Sequence, residues 1–496
     1  MLPRLLDQLD EATPDVVDRL LAELREHRDL DGLDGPDALR AARHLLRSGL
    51  FIDLSHVTTL ALRAHRQGVE QAGILFAETS DKVAAMEGRL QPFGTLVIEH
   101  QGDLVQPPID PGTTDSQRIE LGLPPLEVIV SAAHDETRRR ARLRADQPGL
   151  PAGVRLARVW RDPEPAVLRE RWAIEGAPAW ADGDELTFVK ESDVPFMATP
   201  VVALPSWDVG DGLQVLTVRV ERLAEAVITY TLHPLSGAPA MSVRRGSHDG
   251  RFRGPDAPEE APSNDTLCGE LSEHTLDSPS LTQPRAVTVY RPADPITSST
   301  PVVYATDGNM FAPFARRLDA AIERGSCPPV VVIAAHAAPA DHRGNLRALD
   351  YLLGFDDRRF DAHQRFFVDE LAQWAEAEFG VSGDRHRRAV FGTSDGAGHA
   401  LATAMLHPGR FGHVMAFSTG MPPDGRTRWD PTNGPVAHLC AGTLEDGFHS
   451  ATLMWSYFLE RIGATHHLTE RVCGHDLIQW CEELPNALQQ AFGTNS

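Results

Sequence analysis

"AVFGTSDGAGHALATAML", residues 389–406, packs three glycines around one serine where an apolar run meets a helical pattern. Gly392-Thr393-Ser394-Asp395-Gly396 reads GxSxG directly after the strand "RAVF" (388–391) and directly before the helix "HALATAML" (399–406). A nucleophile at a strained strand-to-helix elbow needs small neighbours two residues to either side, so that the chain can turn sharply and the helix can pack close. The spacing therefore predicts the Ser394 hydroxyl above a sheet and at a helix N-terminus. There the amide of Asp395 and the positive end of the helix dipole would meet a developing oxyanion. A glycine-rich phosphate loop is the competing reading, and it fails because position 401 is Leu and no Lys follows. Taken alone, the pentapeptide also suits a plain tight turn.

A serine hydroxyl is a poor nucleophile near neutral pH and needs an imidazole that is itself oriented by a carboxylate. Around an elbow of this kind the partners follow in the order Ser, acid, His, on loops after later strands. The strand "VAHLCAGT" (436–443) runs into Leu444, Glu445 and Asp446, and "TERVCGHDLIQW" (469–480) sets His475 in a Gly-His-Asp loop before the last helix. Glu445, at the strand end, is the expected acid, with Asp446 as the alternative. Of the other histidines, His399 lies on the elbow helix and points into the packing or the pocket. A second oxyanion donor belongs on the loop after an early strand. "TPVVYATDGNMFA" (300–312) offers the amides of Asn309 and Met310, while an ordinary Asp-Gly turn is the plain reading of the same residues.

Outward from the elbow, near-continuous apolar strands such as "AVTVYRP" (286–292), "PPVVVIAAH" (328–336) and "HVMAFSTG" (413–420) alternate with segments of helical period such as "FFVDELAQWAEAEFG" (366–380). This is the pattern of a parallel sheet covered on both faces, and it predicts a doubly wound α/β domain over 270–496. Residues 155–262 carry short Val- and Thr-rich runs, among them "ELTFVKES" and "LQVLTVRV", which predict a β-sandwich of immunoglobulin-like size. Residues 1–145 recur at three and four, as in "VVDRLLAEL" (16–24), and predict a mainly helical domain. "ADQPGLPAG" (145–153) is the expected linker.

The 496 residues carry 47 Lys and Arg against 70 Asp and Glu, a net charge of −23. That balance argues against nucleic acid or an anionic membrane as partner, and an anionic substrate would need its own local cluster of arginines. No run of eighteen apolar residues or secretory signal is present, so a soluble, cytoplasmic protein is expected. The five cysteines are scattered and lack CxxC spacing, which fits reduced thiols better than a disulfide frame or a zinc site. No cofactor and no metal are expected.

In this order, "RAVTVYRP", "VVYATDG", the elbow with its HPxxFG continuation (407–412), "CAGTLED" and the GHDxxxW ending (474–480) resemble the enterochelin esterase and esterase D-like branch of the α/β-hydrolase family. The resemblance covers residues 272–485, and the segment 155–260 resembles the sandwich that often precedes the hydrolase in that branch. It implies hydrolysis of an ester or lactone, with Ser394 as nucleophile, His475 as base and Glu445 as acid. The chain departs from typical siderophore esterases just after the serine, reading Asp395-Gly396-Ala397-Gly398-His399 where those have a bulky residue and paired glycines. "HAAPADHRGNLRALDYLLGF" (336–355) falls where the family faces substrate, which suggests Arg343 and Arg347 as substrate contacts, with surface arginines as the plain reading; Tyr351, Trp480 and His399 line the pocket or simply pack. Residues 15–140 resemble a bacterial domain family of unknown function, which supplies no chemistry. The same triad also serves an acyltransferase or macrocyclising thioesterase, and a non-catalytic scaffold is the third reading.

Overall fold

The structure is a computed structural model that describes residues 2–11, 20–21, 23–24, 32–47, 54–86, 89–100, 103–107, 109–161, 163–199, 204–234, 249–338, 346–445 and 447–493. These fall into two compact units, one of residues 1–221 with 230–250, the other of residues 222–229 with 251–496.

The first unit holds both helices and antiparallel strands. Helices Gly35–Arg47, Leu54–Arg66 and Ala72–Met86 turn Leu39, Leu45, Leu60 and Ala72 into a common core, as the three-and-four spacing requires. Further along, the strands Leu156–Arg158, Leu213–Val220, Glu185–Glu191 and Ala179–Asp182 form a sheet to which Trp207–Asp208 adds, and Phe196–Thr199 pairs with the strand Val227–Pro234. Asp103, fully buried, pairs with Arg144 of the helix Leu126–Ala145 and with Arg158 of the sheet, at 2.7 Å to Arg158 Nε. One carboxylate thus ties helix to sheet within this unit.

The second unit is built on eight strands: β1 (Glu270–Leu276), β2 (Arg285–Arg291), β3 (Val302–Ala305), β4 (Val331–Ala335), β5 (Arg388–Thr393), β6 (His413–Phe417), β7 (Val436–Gly442) and β8 (His466–Arg471). Their order across the sheet is β1-β2-β4-β3-β5-β6-β7-β8. β1 and β2 run antiparallel to their neighbours, and every pairing from β4 through β8 is parallel. Strands β3 to β6 are buried almost end to end because helices cover both faces, which is why they read as unbroken apolar runs. On one face Val302, Val390, Ala397, Leu401 and Trp455 form the core, and on the other Phe314, Leu318, Phe391, Trp480 and Leu484. Each fully buried Val, Leu or Phe of these layers stabilises the fold by about 1.5–3 kcal/mol. The strand order changes direction at β3, and ligands of such sheets bind at the carboxyl ends of the strands near a switch of this kind.

Candidate active site

Ser394 follows β5 and begins the helix Asp395–Leu406, with φ 57° and ψ −124°. Only glycine tolerates such a backbone without strain. A Cβ at Gly392 would overlap the carbonyl oxygen of Gly396, and one at Gly396 would overlap Thr306 Oγ1. Both flanking glycines are therefore forced by the turn itself. Among the described residues six non-glycines have positive φ, and three of these, Asp307, Ser394 and Ser418, stand just past the ends of β3, β5 and β6. Half of these strained positions thus lie at one edge of one sheet.

Ser394 is partly exposed, and its hydroxyl makes no hydrogen bond among the described residues. Its amide donates to Phe417 O at 2.9 Å, which sets it against the end of β6. The next residue, Ser418, is fully buried and donates its hydroxyl to Glu445 Oε1 at 2.7 Å. The same oxygen accepts the Gly442 amide at 2.5 Å, and Glu445 Oε2 accepts His475 Nδ1–H at 2.7 Å. Trp480 Nε1 donates to Ser418 Oγ at 2.8 Å, and its ring meets His475 edge-on at 4.7 Å. Phe448 lies over the imidazole at 4.1 Å. The carboxylate is thus held at both oxygens and the imidazole on two sides. An ionised carboxylate on Nδ1–H fixes the tautomer whose Nε2 lone pair can accept a proton. Catalytic hydrogen bonds to the nucleophile are often long without substrate and tighten when it binds.

The loop after β7 was expected to supply the acid and the loop after β8 the base, and Glu445 and His475 do come together. Asp446, the alternative acid, lies outside the described residues, as does Arg343. Of the two amides expected in the β3 loop, Met310 N–H donates to Asp307 O at 2.8 Å in a tight turn, whereas Asn309 N–H has no backbone acceptor among the described residues. The Asp395 amide, first in its helix, likewise has none there.

Four of the candidate substrate contacts are buried instead. Arg347 donates to Asp307 through Nε and Nη2, both at 2.7 Å, pairs with Asp395 through Nη1, and reaches Thr393 O at 3.3 Å. It joins the β3 loop to the elbow. Burial opposes its charge, but the hydrogen bonds and charge of Asp307, with Asp395 beside it, hold the guanidinium firmly protonated. Tyr351 is wholly buried, and its hydroxyl oxygen accepts the Asp307 amide at 3.3 Å. Trp480 braces the acid and the imidazole as described. His399 is wholly buried and hydrogen-bonds His363 Nδ1 and Gln364 Nε2, both at 3.0 Å. These contacts join residues far apart in the chain, so only the fold reveals them. Ser418 escaped the sequence reading for the same reason, since "AFSTG" looks like any strand end.

Burial, aided by the charges of His407 and Arg347, pushes His399 down to about 3. Its folded value lies below its unfolded value near 6.5, so the unfolded chain takes up more protons once the pH falls below that point. The stability this neutral imidazole contributes is therefore full above about pH 6.5 and is lost as the pH falls toward 3. At pH 5 the loss is about 2 kcal/mol for one histidine. Urea unfolding of His399→Gln at pH 7 and pH 5 should show a smaller drop than the parent by that amount. An equal drop in both would rule this histidine out as the source.

Residues 278–457 match the family described as "Putative esterase". The match supports a carboxylic ester hydrolase; Ser394 and Glu445 lie inside the matched segment and His475 lies beyond it. Among solved structures, the ferric enterobactin esterase of Salmonella typhimurium superposes with a TM-score of 0.51 at 18% identity, over 65% of this chain and 98% of that one. The enterobactin esterase of Shigella flexneri, solved with 2,3-dihydroxy-N-benzoyl-glycine, gives 0.49 at 18% identity over 65% and 98%. A ferulic acid esterase of Anaeromyces mucronatus gives 0.39 at 16% over 48% and 96%. No curated protein matches the chain in sequence. Among the described residues no helix is long and apolar enough to cross a membrane, and no group of three or more His, Cys, Asp or Glu side chains is placed to hold a metal ion.

Proposed function

We propose that the esterase domain cleaves a small-molecule ester or lactone through an acyl-enzyme on Ser394, with His475 as the general base and Glu445 as its orienting acid. The observation that carries this reading is the His475–Glu445 hydrogen bond of 2.7 Å, made by a carboxylate whose other oxygen is doubly held, on the sheet edge where the elbow serine stands. Ser394 Oγ attacks the carbonyl while Nε2 of His475 takes its proton. The amides of Asp395 and Asn309 receive the oxyanion. His475 returns the proton to the leaving alcohol, and water then releases the acid by the same steps in reverse. Residues 155–262 are read as a β-sandwich and 1–145 as a mainly helical domain.

The test is a panel of aryl esters, lactones and catecholate trilactones on the full chain, with products identified in the presence and absence of added alcohol. The trilactones are included because the enterobactin esterases share this fold. The free acid should be the main product even with alcohol present. Transfer to the alcohol as the dominant outcome would favour an acyltransferase, and no turnover of any member would contradict the proposal.

A further inference from the structure

The chain is strongly acidic, yet a cleft among the described residues of the second unit has a charged lining made mainly of arginines. About 1400 Å³ in volume with its open mouth included, it is lined among the described residues by Arg285, Arg358, Arg359 and Arg365 against two carboxylates, Asp350 and Asp356. Both carboxylates are already engaged. Asp350 is 2% exposed and gives one oxygen to Arg285 Nη2 at 3.3 Å and the other to Arg359 Nη2 at 2.5 Å. Asp356 caps the helix Asp357–Arg365 by accepting the Arg359 amide at 3.0 Å. Arg285 is itself buried and also donates to His336 O at 3.1 Å. Arg359 Nε is buried with no acceptor. Arg358 and Arg365, one helical face apart by two turns, are exposed and have no hydrogen bond or ion pair among the described residues. Arg358 and Arg365 thus add two uncommitted guanidiniums to the lining, beside an Arg359 Nε that has no acceptor among the described residues.

We infer that this cleft is a binding site for a small di- or polyanion of the carboxylate or phosphate type. A guanidinium presents paired N–H donors that match the two oxygens of such a group, and two unpaired arginines beside a half-satisfied third make a fork of that kind. The long-range field of a chain at −23 repels anions, so a local surplus of positive charge is needed for one to bind at all.

The position connects the cleft to the esterase edge. Arg285 opens β2, and the pairing Val287↔Ala335 sets that end beside the carboxyl end of β4. Three strand spacings, roughly 14 Å, separate β2 from β5 and its serine. The helix Leu346–Tyr351 stands between, with Leu346 and Asp350 on the cleft while Arg347 and Tyr351 hold Asp307. The anion is either the far end of the ester substrate or a separate molecule, and the recognition chemistry is the same for both.

Pyrophosphate titrated calorimetrically into the full chain tests the site without reference to catalysis. The parent should bind it saturably, and Arg358→Gln/Arg365→Gln should lose at least tenfold in affinity while keeping the parent's circular dichroism. Both residues are exposed, so folding is not at risk. No saturable binding by the parent, or equal affinity in the double variant, overturns the assignment. The kinetic arm rests on the proposed esterase reading and uses the p-nitrophenyl half-ester of dodecanedioic acid beside its neutral methyl ester. If the anion belongs to the substrate, the double variant raises the ratio of the two KM values about tenfold. If it is a separate molecule, pyrophosphate changes the rate on the neutral ester without competing with it. A chain inert on both esters contradicts the esterase reading alone, and the calorimetry still decides the cleft.

Discussion

Ser394→Ala is expected to lower kcat on an activated aryl ester by about 10³–10⁶-fold with the melting temperature nearly unchanged. Losing a triad nucleophile costs that much in other serine hydrolases, and the residue left behind comes from binding and the oxyanion donors. Stability should hold because the hydroxyl makes no hydrogen bond among the described residues and alanine suffers the same backbone strain at φ 57°. Residues that act as a unit are not additive. Adding His475→Ala to Ser394→Ala should therefore lower the rate little further, whereas His475→Ala alone should fall nearly as far as the serine variant. Rates above a few per cent of the parent in Ser394→Ala would exclude it as nucleophile.

The second large effect is expected at Arg347. Arg347→Met leaves Asp307, 5% exposed, as an unpaired buried carboxylate next to Asp395. Breaking a buried pair in this way costs about 3–5 kcal/mol. The same change frees the β3 loop from the elbow, and with it the Asn309 amide. Misplacing one oxyanion donor costs about 10²–10³ in kcat with little change in KM. Stability and catalysis are separable in the double variant Asp307→Asn/Arg347→Met, which removes the stranded charge. It should regain most of the stability and almost none of the kcat. Recovery of both would reduce Arg347 to a structural role.

What could be read without the fold follows from how local each signal is. The elbow was legible because its glycines are set by the sterics of five consecutive residues. Glu445 and His475 were legible as candidates because chain order along a doubly wound sheet restricts which loops reach one edge. The α/β architecture of 270–496 showed in the unbroken apolar strands. Arg347, Tyr351, Trp480 and His399 were recognisable as belonging near the site, but whether each faces substrate or the packing was not. A polar side chain close to a catalytic loop looks the same in sequence whether it faces substrate or a buried carboxylate. What separates the cases is a partner 35 to 62 positions away, such as Gln364 for His399 or Ser418 for Trp480. The arginine cluster was hidden for a similar reason, since Arg285 joins Arg358, Arg359 and Arg365 only through sheet pairing and one helix face.

The most direct measurement is to treat the full chain with a fluorophosphonate and map the adduct by peptide mass spectrometry. A catalytic Ser394 activated by His475 predicts one stoichiometric phosphonyl group on the peptide containing Ser394, abolished in His475→Ala. No adduct, or an adduct on another residue, would contradict it.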